Sequence, residues 1–412
     1  MKVLLVNVTG KTGSTGKIVT DIRDSLLKEG HEAIIAYGHA DKVTAPGYYK
    51  ISKRIEGAIS LRLSKLGRCS LKGNTLAFYR LKEIIKAENP DIVHLHCINC
   101  HCINVYDTLK YLASRRIKTV ITHHAEFFYT GSCPYSYSYS CSLYSTSECK
   151  GCETPQYATG NLFFPNPHKN WKRMFEAVNA FSPDELIFTS VSPWVHERAL
   201  KSPIVNRYKD VVVLNGLNTE IFKYQQGNRV VNRKFLEIKD YVLHVTPFFD
   251  PLDKNDIKGG YFVAELAKRL PQVPFVVISS VSQNCETLPQ NVLLWGRTEN
   301  QQELSQIYSG AQLTLLTSKR ETFSMVTAES LCCGTPVVGF RAGGPESIAI
   351  KEYCCFVEYG DEDALQKALS CYLTSDFDKE QVSRESKMVY SKENMGEGYL
   401  KVYQKLLKQK DS

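Results

Sequence analysis

Short apolar runs alternate with segments of helical periodicity along almost the whole chain. In the first half the runs are Val3–Val8, Glu32–Tyr37, Ile92–His96, Thr119–His123 and Leu186–Ser190. Helical patterns fall between them at Lys17–Lys28, Leu76–Ala87, Val105–Arg115 and Asn170–Phe181. Many of the runs are apolar throughout rather than at every second position. That marks strands covered on both faces, and a strand–helix alternation of this kind predicts a parallel sheet between helical layers. The pattern pauses after Val211–Leu214 in a polar stretch, Lys223–Arg233. It restarts with Tyr241–Val245, Phe275–Ile278, Val292–Leu294, Leu313–Leu316, Pro336–Phe340 and Cys354–Val357. Two successive α/β halves are expected. Open α/β sheets bind ligands beyond the carboxyl ends of their strands, so two such halves facing each other would make a cleft.

Two regions break the alternation. Phe127–Pro155, "FFYTGSCPYSYSYSCSLYSTSECKGCETP", has neither period and reads as a long irregular insertion, of the kind that is functional or held by a local staple. Lys50–Lys86 is rich in Lys and Arg, with only Glu56 and Glu83 against them. It is either a solvated face or a contact for an anionic membrane surface or acceptor.

Composition narrows the class. The chain has 412 residues, 43% hydrophobic and 23% charged, as in ordinary globular proteins of two or three domains. No apolar run is long enough to cross a bilayer, and the first residues read as a buried strand rather than a signal peptide, so a cytoplasmic chain is expected. The formal charge of +8 suits an anionic ligand or membrane surface and does not call for nucleic acid. There are 14 cysteines. Cys332-Cys333 and Cys354-Cys355 lie in apolar runs and read as core. Cys133, Cys141, Cys149 and Cys152 fall in the insertion with the composition of a four-thiolate zinc site, at looser spacing than a ribbon or finger. Reduced or partly paired thiols are the alternative. "HLHCINCHCIN", from His94, gathers further His and Cys, but alternation along a strand would split them between faces.

The first strand runs into "VTGKTGSTGKIV", Val8–Val19. A phosphate-binding Walker loop would need glycine where Lys11 stands and a hydroxyl where Ile18 stands. The intervals of Gly10, Gly13 and Gly16 also miss the dinucleotide fingerprint. What remains is a turn of Gly13, Ser14, Thr15, Gly16 and Lys17 opening a helix, either an anion-attracting helix start or an ordinary flexible turn.

The densest chemistry lies in "SKRETFSMVTAESLCCGTPVVGFRAGGPESI", Ser318–Ile348. A helix over Phe323–Cys333 is expected, stopped by Gly334-Thr335-Pro336. Glu321 then precedes its N-terminus and Glu329 lies two turns in. Amides of Thr322, Phe323 and Ser324 could hold a phosphate there, and each carboxylate could accept sugar or ribose hydroxyls.

This stretch resembles the E-x7-E motif of family 4 glycosyltransferases, retaining enzymes of the GT-B fold, and the likeness extends over nearly the whole chain. "GSTGKIVTDIRDSLLKEGHEAIIAYG" is similar to the family's first glycine loop and helix, nearest to a subgroup of bacterial exopolysaccharide and capsule synthesis. "DIVHLH" and "VLNGLNTEIF" resemble further family segments, and "ENMGEGYLKVYQKLL" resembles its final helix. The resemblance implies two Rossmann-like domains facing across a cleft. Residues 1–195 would form the acceptor-side domain with the Cys-rich insertion 127–155, completed by a C-terminal helix, 388–412, crossing back to it. Residues 196–387 would bind the nucleotide sugar.

The resemblance also implies roles. Glu321 would contact the donor sugar, Glu329 the ribose, and Lys258 in "DIKGG" the diphosphate; His124 would sit near the donor sugar and acceptor. The Gly13–Lys17 loop would face the diphosphate and acceptor. Three departures stand out. No Arg precedes Lys258, where the family usually has one, and Lys254 is the nearest substitute. Ala125 follows His124 where many relatives carry Asp. Arg320, before Glu321, could reach donor or diphosphate. The implied activity is retaining, metal-independent hexosyl transfer from a nucleotide sugar to a saccharide or lipid-linked saccharide, with no cofactor needed for catalysis. The protein would be cytoplasmic, or peripheral at the inner face of the cell membrane. A weakly active relative serving as a sugar-nucleotide- or saccharide-binding subunit is the alternative.

Overall fold

A computed structural model describes the chain apart from residues 39–41, 67–69, 100, 137–139, 226–230, 234–235, 239 and 409–412. Cys100 of the His/Cys-rich segment therefore lies outside the described residues. The chain divides into two compact units, Met1–Leu214 with Met395–Ser412, and Asn215–Asn394. The first division falls after Leu214 rather than residue 195, because the segment between them supplies the last strand of the first sheet.

The first unit holds seven strands: β1 (Lys2–Asn7), β2 (Glu32–Tyr37), β3 (Tyr48–Lys50), β4 (Ile92–Leu95), β5 (Thr119–His123), β6 (Leu186–Ser190) and β7 (Lys209–Val212). Their order is β3-β2-β1-β4-β5-β6-β7, with every pair parallel. The apolar run Val3–Val6 is fully buried at the centre. Val3 and Leu5 pack against Ile18, Val19, Ile22 and Leu26 of the helix Gly13–Lys28. The same core takes Met395, Tyr399, Val402, Tyr403 and Leu406 from the helix Lys392–Lys408. These five positions form one helical stripe, which is why the last helix docks on the first unit although the preceding helix belongs to the second.

The second unit opens with an antiparallel pair, β8 (Val231–Arg233) and β9 (Leu236–Ile238). Then come β10 (Val242–Phe249), β11 (Phe275–Ser282), β12 (Val292–Gly296), β13 (Leu313–Leu316), β14 (Val337–Phe340) and β15 (Cys354–Val357). Their order is β12-β11-β10-β13-β14-β15, all parallel. In both units the order runs outward from the first strand and then reverses, the Rossmann arrangement. Its ligand sites lie where the order switches, here at β1/β4 and at β10/β13.

Several local expectations shift. The first helix starts at Gly13, so the glycine loop is its opening turn. The helix expected over Phe323–Cys333 spans Met325–Cys332. The insertion is broken into three one-turn helices, Phe127–Thr130, Leu143–Thr146 and Pro155–Thr159.

Candidate functional site

In the second unit the candidate side chains Lys258 and Glu321 come from the two loops that leave β10 and β13 at the switch. Lys319 N–H donates to the Ile257 carbonyl at 2.8 Å, and the Thr317 hydroxyl donates to the Lys258 carbonyl at 2.8 Å. Gly259 makes this approach sterically allowed. It sits at φ +72°, and a Cβ there would stand 2.3 Å from the Thr317 carbonyl oxygen. The clasp brings Lys258 Nζ to Glu321 Oε1 at 2.5 Å, with the side chains 25% and 21% exposed, open enough to meet a ligand.

Glu321 is fixed by its backbone as well. Its N–H donates to Ala342 O (2.9 Å), and its carbonyl accepts from Gly344 N–H (2.8 Å). The loop on the far side is held by Glu346, whose carboxylate accepts from the Ala342 and Gly343 N–H groups at 3.0 and 2.9 Å. A Cβ on Gly344 would lie 2.4 Å from Thr322 C and 2.5 Å from Phe323 N. This packing accounts for the late helix start: Phe323 is buried, and the turn is completed by Ser324 at φ +80°. The Ser324 hydroxyl accepts from Thr327 N–H at 3.2 Å. With the third N–H capped, helix geometry leaves those of Met325 and Val326 as the donors at the helix start. Thr322 and Phe323, expected to offer theirs, belong to the preceding loop. A left-handed serine costs about 1–3 kcal/mol, and such strain concentrates at functional sites.

Glu329 accepts from the buried Tyr308 hydroxyl at 3.1 Å. Burial, with the Glu329 charge beside it, pushes the Tyr308 phenol well up, so it stays a donor. His244 on β10 is buried, with Nδ1 3.0 Å from Leu315 O. Burial brings it down to about 4, although the Leu315 bond opposes this and the Lys258 charge adds to it. A neutral ring therefore donates from Nδ1. Nothing in the sequence pattern separated Tyr308 or His244 from ordinary core residues. Lys254 stands 4.5 Å from the centre of the Tyr261 ring. Arg320 is half-buried.

In the first unit, Asn7 at the end of β1 joins the glycine turn to β4. Its amide donates to Thr9 O (2.9 Å) and lies 3.4 Å from the Thr15 hydroxyl, while its Oδ1 accepts from Cys97 N–H (3.2 Å). Gly13, Ser14 and Lys17 are exposed, Thr15 is half-buried and Gly16 is buried. His124, just after β5, lies 3.0 Å from His96 through Nε2 and the Nδ1 of its partner. The His96 ring lies tilted against His94 with their centres 3.8 Å apart, and His94 bridges Tyr403 (2.6 Å) and Thr122 (2.7 Å). Burial, with the His123 charge adding to it, brings His124 down to about 3. Burial also holds His94 and His96 well below the usual histidine range. The pair is thus neutral, one ring donating and the other accepting. A neutral pair of this kind can orient or polarise a neighbouring group without carrying charge. The next carboxylate, Glu126, is committed elsewhere: it is buried and accepts from Arg198 Nε at 2.7 Å and from Tyr129 at 2.6 Å.

Cys133, Cys141, Cys149 and Cys152 all line one small pocket, with a cavity volume of about 30 Å³. Burial, and the neighbouring thiols acting on it, push Cys149 up; burial chiefly raises Cys133 to about 12. Among the described residues no group of three or more His, Cys, Asp or Glu is arranged to hold a metal ion. The thiols share a pocket without meeting at a common point. No described helix is long and apolar enough to cross a membrane.

Comparison with known proteins gives matches in both units. The model for Glycosyltransferase Family 4 matches residues 15–220, half of the chain, and that for Glycosyl transferases group 1 matches residues 256–375. The chain is 23% identical over 292 residues to N-acetyl-alpha-D-glucosaminyl L-malate synthase of Bacillus anthracis. That match covers 68% of this chain and 65% of the relative, just under two thirds of its length. Among solved structures, sucrose-phosphate synthase of Thermosynechococcus elongatus aligns over 99% of both chains with a TM-score of 0.69 at 13% identity. HepE of Anabaena, solved in complex with UDP-glucose, aligns over 98% of this chain and 99% of its own with a TM-score of 0.63 at 14% identity. At such identities these structures speak for the fold, two Rossmann-like units of GT-B type.

Proposed function

The chain belongs to glycosyltransferase family 4, and from that premise we propose that it transfers a hexosyl group from a nucleotide sugar with retention of configuration and without a catalytic metal. The observation that carries this reading is the Lys258–Glu321 contact at 2.5 Å, beside a helix start with Met325 and Val326 amides. Cleaving an anomeric carbon–diphosphate bond leaves a nucleoside diphosphate whose charge grows through the transition state. Lys258 and the helix amides supply positive potential there, the role a divalent ion plays in other transferases. Glu321 fixes Lys258 and accepts a sugar hydroxyl. Glu329, set by Tyr308, accepts from the ribose. The departing phosphate takes the proton of the acceptor hydroxyl as it attacks from the same face. His124, neutral and tied to His96, orients the acceptor. Gly13–Lys17 offers backbone and Lys17 to the diphosphate or acceptor.

The acceptor we propose is a saccharide or lipid-linked saccharide of bacterial exopolysaccharide or capsule synthesis, reached by a protein peripheral to the inner membrane face. The basic segment Lys50–Lys86 supports that reading. Lys258→Ala and Glu321→Ala should each remove most transfer, about 10²–10³-fold, in a protein that still melts cooperatively. Near-normal turnover in either variant rejects the assignment. A second reading, a sugar-nucleotide-binding subunit with little turnover, is favoured by Lys254, whose place over the Tyr261 ring does not replace the family arginine. It predicts donor binding without nucleotide release when acceptor is added. At the insertion we propose a structural zinc on the four thiols, which line one pocket and would have to draw together from their present positions to bind it. Stoichiometric zinc in protein purified without chelator is the expected result. Its absence leaves four reduced thiols.

A further inference from the structure

The helix Arg54–Lys65 is inside out. Its buried positions are Gly57, Ser60 and Ser64, and Ser60 donates to the Gly73 carbonyl at 2.5 Å. Ile55, Ile59, Leu63 and, one residue past its end, Leu66 recur at helical spacing on the opposite side. They are 75%, 51%, 39% and 63% exposed. A surface helix of a globular protein ordinarily turns its apolar stripe to the core; this one turns it to solvent.

A second apolar element stands beside it. Leu162 N–H donates to the Lys65 carbonyl at 3.2 Å, joining the turn 161–164 to the end of the helix. Phe163 and Phe164 at the tip of that turn are 64% and 75% exposed. They are not displayed by a loose loop. The buried Asn161 side chain accepts from both their N–H groups, at 3.1 and 3.0 Å, and donates to Phe164 O at 2.9 Å. A turn fixed by three hydrogen bonds holds two phenyl rings in water.

Charge identifies the occupant. Lys53 just before the helix and Arg54, Arg62 and Lys65 on it are exposed. Glu56, the only acid in the helix, is turned inward into a two-pronged pair with Arg80, at 2.6 and 2.7 Å. The outward face therefore pairs aliphatic and aromatic side chains with cations and no opposing carboxylate from the helix. That combination fits an interfacial helix lying in the headgroup plane of an anionic bilayer, where apolar side chains enter the acyl boundary and cations meet lipid phosphates. We infer that the face formed by Arg54–Leu66 and the Phe163–Phe164 turn is the surface by which this protein docks on an anionic membrane. The inference deepens the peripheral-membrane reading above. It does not depend on the catalytic assignment, whose residues in the second unit it leaves untouched.

The test is co-sedimentation of the full chain with vesicles of phosphatidylglycerol in phosphatidylcholine, against phosphatidylcholine alone. Wild-type protein should partition onto the anionic vesicles, and less so as salt is raised. Phe163→Ser/Phe164→Ser and Ile55→Asn/Ile59→Asn should each lower that partition tenfold or more, with melting temperature and nucleotide-sugar affinity unchanged. Equal partition of variants and wild type overturns the inference, as does no binding to anionic vesicles. Concentration-dependent dimerisation in sedimentation velocity, abolished by the same variants, would assign the face to a second copy of the chain and overturn it too. Membrane partition by a wild-type protein that binds no nucleotide sugar would count against the catalytic reading alone.

Discussion

Replacing Gly344 by alanine tests how the loop bearing Glu321 is positioned. The added methyl would lie 2.4 Å from Thr322 C, 2.5 Å from Phe323 N and 2.6 Å from Thr322 O. Carbon contacts settle near 3.5–4.0 Å, so the two segments must part by about 1 Å. All three atoms are backbone, so no side-chain rotation relieves the clash. Overpacking of this kind costs about 1–3 kcal/mol, or roughly 2–4 °C of melting temperature per kcal/mol for a unit of this size. The larger effect falls on chemistry. The displaced segment carries both Glu321 and the Ser324 cap, and misplacing reacting groups by about 1 Å costs on the order of 10²-fold in rate. Nucleotide release at saturating donor and acceptor gives kcat, and calorimetry gives stability. Gly360→Ala is the control: it sits at φ +87° with nothing within 4 Å of its Cβ, so it strains backbone without touching the site. A Gly344→Ala protein that folds and turns over within about twofold of wild type would refute the claim that this contact positions Glu321.

Tyr308→Phe removes the hydroxyl held 3.1 Å from Glu329. It should weaken nucleotide affinity by roughly fivefold, about 1 kcal/mol, with little change in kcat at saturating donor; unchanged affinity by calorimetry would free Glu329 from the ribose role. Acid should destabilise the protein through its buried histidines. His244 and His123 are held neutral at about 4 by burial, so between pH 6.5 and 4 the unfolded chain takes up protons that the fold does not. Stability is therefore full above pH 6.5 and falls toward pH 4, by roughly 3 kcal/mol for each ring. Denaturant titrations across that range should show a shallower fall in His244→Gln than in wild type, and identical slopes would contradict the buried-neutral assignment.

Much of the architecture was legible in the chain because parallel strands covered on both faces read as unbroken apolar runs. β1, β2, β4, β5 and β6 were all visible in this way. β3, β8 and β9 were not, since three residues carry no period. The placement of the last helix was legible through the family resemblance of "ENMGEGYLKVYQKLL", and the structure shows its cause in the buried stripe Met395, Tyr399, Val402, Tyr403 and Leu406. Its consequence was hidden: Tyr403 reaches His94, beneath the His96–His124 pair, a contact across more than three hundred residues. The pairing of Lys258 with Glu321 depends on Gly259 fitting against Thr317, a tertiary fact with no local signature. The helix starts at Met325 rather than Phe323: Gly344 packs against Thr322 and Phe323, and Ser324 takes a left-handed backbone, which serine gives no reason to expect. Likewise, the basic character of Lys50–Lys86 showed in composition, but that its helix turns apolar side chains outward became apparent only from burial.

Donor chemistry carries the proposed activity, so the decisive measurement is a thermal-shift panel of UDP-, GDP- and ADP-sugars against ATP, followed by nucleotide release with acceptor. One class of nucleotide sugar should raise the melting temperature and ATP should not, Lys258→Ala should abolish the shift, and acceptor should trigger release of the free nucleoside diphosphate. Stabilisation by ATP alone, or a sugar-nucleotide shift that survives Lys258→Ala unchanged, would contradict the proposed activity.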